Sequence, residues 1–239
     1  MDRLAHGVVR ILTATPADIG ASDIQDFEAA LDDTERRRAR RFRFDQDRRA
    51  YVVVHALRRR AVADALGCDL AFVRFEETAD GEPRLAPPPD SPLHFSHTRT
   101  RTAVAVALTR IGSIGIDVEP LRPEAADMAL LRPYVADAAT DGGAQDFFRQ
   151  WTALEAYWKA VGSGLNPNNP RIRLRHRGAD CIEVTHEGER PAGVHGHVFH
   201  SNALAPASMA VALLAATVPT CEWDVRHCNS SIHLDGSSG

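Results

Sequence analysis

Two stretches of the chain echo one another, and the echo narrows the possible folds more than any other feature. Residues 94–97 (HFSH) precede the apolar run 103–109 (AVAVALT), and residues 197–200 (HVFH) precede 209–215 (MAVALLA). Short runs rich in Val, Ala and Leu, bounded by turn residues, read as buried strands. A long helical segment comes before each pair, at 34–66 and at 146–161. The pattern predicts an α+β pseudo-dimer: two similar halves, residues 1–112 and 113–228, each a long helix packed on a small antiparallel sheet. Halves of about 100 residues are an ordinary domain size. The polar tail, residues 229–239, is expected to be disordered.

Further strands are expected at 7–13, 71–76, 114–118, 171–174, 181–185 and 194–200. Asp32, Asp33 and Thr34 offer caps for the first long helix, and Gly67 offers a stop. Gly162 and Gly164 close the second helix. Residues 80–92 are turn-rich and read as a loop; 120–143 mix Pro, Gly and Asp and read as a linker with room for one helix.

The net charge of −4 argues against a general nucleic-acid binder. Positive charge is nonetheless concentrated: Arg36, Arg37, Arg38, Arg40, Arg41, Arg43, Arg48 and Arg49 crowd one stretch, enough to bind phosphate locally. Lys159 is the single lysine. The four cysteines form no CxxC pair and no signal peptide is evident, which predicts a reduced, cytoplasmic protein. No apolar run reaches the roughly 20 residues of a membrane span.

Four constellations can carry chemistry. In residues 115–120 (GIDVEP), strand alternation puts Asp117 and Glu119 on one face and Ile116 and Val118 on the other. Adjacent carboxylates are tolerated when solvated or when a cation sits between them, and hard oxygen ligands suit Mg²⁺. In the second helix Trp151, Leu154, Glu155, Trp158 and Lys159 form one stripe. Glu155 is a candidate third ligand or general base and Lys159 a candidate phosphate contact; the plain alternative is a Glu155–Lys159 ion pair on the helix surface. Ser96 and His97 end an apolar segment, where a histidine can donate to phosphate. The fourth is the arginine-rich stretch, which can equally be a solvated helix face. His195 and His197 lack a third ligand nearby in sequence, and Cys221 and Cys228 are wrongly spaced for a zinc knuckle.

Together these motifs resemble the 4′-phosphopantetheinyl transferases of the monomeric, two-half type that activate peptide and polyketide synthases. The resemblance runs from about residue 30 to 215. The family's G-[IV]-D-[IVL]-E strand matches GIDVEP, and its W-[ST]-x-K-E-[AS]-x-x-K helix matches at Trp151, Thr152, Glu155, Ala156 and Lys159. The resemblance implies that Asp117, Glu119 and Glu155 converge on one Mg²⁺ against the pyrophosphate of coenzyme A. Glu155 would deprotonate a serine of an acyl or peptidyl carrier protein, and Lys159 would offset charge on the pyrophosphate. Arg38, Arg49, Ser96 and His97 would contact coenzyme A. It implies a monomer with no nucleic-acid or membrane partner.

Three positions depart from the family pattern. Leu154 stands where a lysine is usual, Glu82 reverses the charge of a G-[KR]-P turn, and Ala50 replaces an arginine after Arg49. These keep two alternatives open: a repurposed relative that binds a carrier protein or a coenzyme A-like ligand without transfer, and an unrelated Mg²⁺-dependent nucleotide-processing protein. Leu154 is expected to pack against Trp151 and Trp158 rather than contact ligand.

Overall fold

The structure is a computed structural model and describes residues 3–77, 83–86, 92–136, 143–178, 180–188, 196–204, 206–215 and 217–228. The strands, in chain order, are β1 (Val8–Ala14), β2 (Phe75–Glu77), β3 (Pro83–Leu85), β4 (His94–Arg99), β5 (Val104–Thr109) and β6 (Ile114–Pro120). They continue with β7 (Ile172–His176), β8 (Cys181–His186), β9 (Gly196–Ser201), β10 (Ala207–Leu213) and β11 (Glu222–His227). The α-helices are α1 (Ala21–Ala29), α2 (Asp33–Ala39), α3 (Asp45–Leu66) and α4 (Ala144–Val161). The fold is mixed α+β. Contacts divide it into one unit of residues 1–93, 97–111 and 222–239 and another of 94–96 and 112–221.

In the first unit the sheet order is β11-β1-β5-β4. β1 pairs antiparallel with β5 and parallel with β11. β11 is a strand that the sequence pattern did not signal: Glu222, Trp223, Asp224, Val225 and Arg226 alternate too weakly, and only Trp223 and Asp224 are even half-buried. It is anchored by Arg10, whose Nε donates to Asp224 Oδ2 at 2.8 Å from a buried position in β1.

The expected helix over 34–66 is two helices. α2 starts where the caps predicted: Asp32 accepts from the Glu35 amide at 2.8 Å while Glu35 accepts from the Asp32 amide at 3.1 Å, a reciprocal capping box. The chain then leaves helical geometry, with Phe44 extended (φ −108°, ψ 135°) as the cap of α3. Phe42 packs on Tyr51 with ring centroids 5.2 Å apart. α1 went unpredicted because only Ile24 and Phe27 bury a face. The expected strand over 71–76 is instead a 3₁₀ turn at Leu70–Phe72 followed by β2, because the Asp69 side chain captures the Ala71 amide at 2.7 Å.

α3 is buried nearly all round, so Arg58 and Arg59 enter the core and need acids. Glu35 supplies them. Its Oε1 accepts from Arg58 at 2.6 Å and from His55 Nδ1 at 3.0 Å, and its Oε2 lies 3.5 Å from Arg59. Ionised Glu35 can only accept, so in its contact with Glu35 the His55 Nδ1 carries the proton and donates it.

The second unit holds a five-stranded antiparallel sheet, β6-β10-β9-β8-β7. α4 lies on the face carrying Ala210, Ala212, Val198, Ile182 and Val184, in one core with Leu154, Tyr157 and Trp158. The stretch read as a linker contributes Leu131 and Val135 to that core and forms two 3₁₀ turns, Pro123–Ala125 and Met128–Leu131. The expected loop at 80–92 is not loop throughout: residues 83–85 form β3, held as a strand by antiparallel pairing with β2, while most of the rest of that stretch, and the whole 229–239 tail, falls outside the described residues.

The Glu35–His55 contact has a pH consequence. Hydrogen bonding to His55 and the Arg58 charge overcome burial and hold Glu35 down at about 2, from an ordinary 4.5. Burial holds His55 down at about 4, from an ordinary 6.5. Below pH 6.5 the unfolded chain gains a proton at His55 that the folded chain excludes, and below 4.5 the same holds at Glu35. Both contributions therefore stand at neutral pH and fade on acidification. Urea midpoints across pH should fall from about 6.5 downward, and His55→Gln should flatten the part between 6.5 and 4.

Candidate active site

Gly115 decides how close α4 comes to β6. A Cβ placed there would run into the carbonyl oxygen of Ala156 and would lie 2.6 Å from the Ala160 amide nitrogen and 3.0 Å from Lys159 Cβ. Only a residue without a side chain admits that approach. Across the sheet, Ala212 and Ala210 pair with Gly115 and Asp117, which keeps the same face shallow. Thr152 of the helix motif is wholly buried; its hydroxyl donates to the Phe148 carbonyl at 2.8 Å and lies 3.0 Å from Ser208 Oγ on β10. Trp151 stacks on Phe147. Much of the signature therefore fixes α4 against the sheet.

That contact brings Asp117, Glu119, Glu155 and Lys159 into one electrostatic cluster. Lys159 Nζ donates to Asp117 Oδ1 at 2.7 Å and to the Ile116 carbonyl at 3.2 Å. The lysine thus reaches across to β6, where the surface alternative would have paired it with Glu155. Asp117 is buried, while Lys159 keeps 30% of its side chain exposed. Burial, then the charge of Asp117, raises the pKa of both Glu119 and Glu155. Arg122, 3.4 Å from Glu119, and Lys159 offset this only in part. Ser96 joins this group through its hydroxyl oxygen, which accepts the Ile116 amide at 3.2 Å.

Among the described residues no three His, Cys, Asp or Glu side chains are gathered tightly enough to hold a metal ion as they stand. The donor set still suits a hard divalent cation: three carboxylates, two of them made reluctant to ionise by burial and then by the charge of the third. Leu154, as expected, is wholly buried in the core of the unit. His197 is wholly buried too.

In the first unit the arginine run is largely spent on structure. Arg36 binds the Leu31 carbonyl and Asp33, Arg37 binds Thr34, and Arg48 binds Glu28 and Asp45. Arg49 donates to the carbonyls of Pro16, at 3.1 Å, and Ile19. Ala50 is buried. Arg38 is exposed and hydrogen-bonds Tyr51. Tyr51 stacks on His55 at 3.9 Å, and His97 meets His55 edge-on at 5.4 Å. Arg99, absent from the sequence reading, lies over both Phe42 and Tyr51. The available signal was that it lies two residues after His97 on the same strand, and so on the same face. Glu82 lies outside the described residues.

Two family models match the chain: the 4′-phosphopantetheinyl transferase superfamily over residues 113–213, and the N-terminal region of 4′-phosphopantetheinyl transferases over 20–108. The protein is also 35% identical over 161 residues to the 4′-phosphopantetheinyl transferase HetI of Nostoc sp.. That match covers 63% of this chain and 67% of the relative. The chain belongs to the 4′-phosphopantetheinyl transferase superfamily. A phosphopantetheinyl transferase of Thraustochytrium sp. is 27% identical over 157 residues, covering 58% of this chain and 54% of the relative. Membership puts the acid cluster in context, since the matched span 113–213 contains β6 and α4 with all four of its charged residues. Among the described residues no helix is long and apolar enough to cross a membrane.

Gly115→Ala should therefore damage both stability and the site. Overpacking of this kind costs typically about 1–3 kcal/mol. A urea-denaturation midpoint equal to that of the parent would show that α4 does not approach β6 as described.

Proposed function

We propose that this chain transfers the 4′-phosphopantetheine group of coenzyme A to a serine of an apo acyl or peptidyl carrier protein of the kind found in peptide and polyketide synthases. The observation that carries the reading is the cluster of Asp117, Glu119 and Glu155 with Lys159 reaching across to Asp117. Asp117, Glu119 and Glu155 are the residues that would hold Mg²⁺, which when bound supplies positive charge against the pyrophosphate.

The chain's own groups do the rest. Glu155 accepts the proton of the serine hydroxyl, and its raised pKa makes it the stronger base for that task. The serine oxygen forms a bond to the β-phosphorus, the bond from that phosphorus to the bridging oxygen breaks, and adenosine 3′,5′-bisphosphate leaves. Lys159, partly exposed on a flexible stem, turns from Asp117 to the pyrophosphate and offsets the charge that builds on the leaving oxygen. Arg38 and His97 contact the nucleotide phosphates, and Ser96 contributes its remaining O–H. Arg49 holds its carbonyls, so phosphate charge falls to the other cations.

The same reading makes the chain a monomer whose two units are diverged copies of one pattern. In support, β1-β5-β4 in the first unit and β6-β10-β9 in the second share one order, with α3 and α4 at matching places in the chain. We place the activity in the cytoplasm; the four cysteines are free thiols, as a reduced compartment would keep them.

With saturating Mg²⁺ and an accepted carrier protein, Lys159→Ala should lower turnover about 100-fold or more while the protein stays folded. Leu154→Lys should raise no activity through charge, because the position is buried, and should cost stability instead. Near-parental turnover in Lys159→Ala would remove Lys159 from the transfer step.

A further inference from the structure

We infer that Arg122, together with Lys159, is a resident counter-ion of the acid cluster: a divalent metal must displace both cations from its carboxylates, and an anionic ligand that draws them away tightens the metal. The inference rests on the Mg²⁺ reading above and assigns a part to Arg122, which that reading leaves without one.

The local chain delivers Arg122 to the cluster. β6 ends at Pro120, yet the Leu121 amide still donates to the Pro206 carbonyl at 3.4 Å, which keeps the chain beside β10 for one residue more. Pro123 then confines the residue before it to extended backbone, and Arg122 (φ −125°, ψ 90°) caps the 3₁₀ turn Pro123–Ala125. From there Arg122 Nη2 donates to Glu119 Oε2 at 3.4 Å. The guanidinium side chain is 54% exposed and the carboxylate side chain 24%, so the cation lies on the wetter side of the pair. Lys159 holds the neighbouring acid from α4, with Nζ 2.7 Å from Asp117 Oδ1. Both cations favour the ionised form of Glu119, and Lys159 also favours that of Glu155.

Three carboxylates thus face two cations of the chain itself. A hard divalent ion needs carboxylate oxygens, and the cations hold one on Glu119 and one on Asp117. A cation left in place also repels the metal across a few ångströms. Arginine does not deprotonate in proteins, so Arg122 yields only by moving away. Its pair with Glu119 is half in water, where such pairs are weak, which sets the expected effect at a few-fold. Once displaced, Arg122 and Lys159 need another anion. The diphosphate of coenzyme A offers one, since guanidinium groups bind phosphate oxygens well. Metal and coenzyme A then support each other, each tightening the other by the same factor.

The test is titration of the full chain with Mn²⁺ as the probe of the Mg²⁺ site, with free ion counted by electron paramagnetic resonance. It is run without and with saturating coenzyme A, and a protein-free blank gives the ion that coenzyme A itself holds. Arg122→Gln should tighten Mn²⁺ about 3-fold or more in the absence of coenzyme A. It should also shrink the factor by which coenzyme A tightens Mn²⁺ in the parent. Arg122→Lys, which keeps the charge, should behave as the parent does. Arg60→Gln, which removes a cation paired with Asp64 on α3, should change neither quantity. Unchanged or weaker Mn²⁺ binding by Arg122→Gln would overturn the counter-ion role while leaving the Mg²⁺ reading intact. A coenzyme A factor equal in parent and Arg122→Gln would overturn the coupling. A parent that binds no Mn²⁺, with or without coenzyme A, would overturn the Mg²⁺ reading and this inference together.

Discussion

The contact between Gly115 and the backbone of α4 is the constraint on which the acid cluster depends. A side chain at that position would meet Ala156 and Ala160 and hold the helix away from β6. Lys159 could then no longer reach the Ile116 carbonyl and Asp117 together. The small residues Ala156, Ala210 and Ala212 keep the same contact shallow, while Thr152 and Ser208 tie the helix to β10 further along. A motif that looks catalytic in sequence is therefore half architectural: its glycine, threonine and alanine set the spacing within which its acids and lysine act.

Charge allocation follows a related logic in the first unit. Burying α3 takes Arg58 and Arg59 out of water, and Glu35 is held ionised between them and His55. Much of the arginine run before it serves caps and carbonyls. The consequence is that much of a dense basic sequence is spent on structure.

The legible parts of the sequence were those with strict local periodicity. Alternation in residues 115–120 placed Asp117 and Glu119 together on one face, the stripe of α4 placed Leu154 inside, and the paired runs at 103–109 and 209–215 became β5 and β10. Features set by distant partners were not legible. β11 is defined by pairing with β1 from the far end of the chain, and Arg10–Asp224 links residues that no local window connects. The break after α2 depends on Phe42 finding Tyr51, and the reach of Lys159 to Asp117 depends on a glycine whose role is visible only when the helix lies on it. Arg99 had a local signal, its shared strand face with His97, but its place over Phe42 and Tyr51 depends on residues far from it in sequence.

The central claim is that the β6–α4 acid cluster transfers phosphopantetheine. The most direct measurement is to incubate the chain with coenzyme A, Mg²⁺ and a panel of apo carrier domains, and to weigh each carrier by mass spectrometry. The account predicts that at least one carrier gains the mass of a single phosphopantetheine group on its serine, with adenosine 3′,5′-bisphosphate released in equal amount. Carriers that all keep their apo mass, under conditions where the chain demonstrably binds coenzyme A, would contradict it.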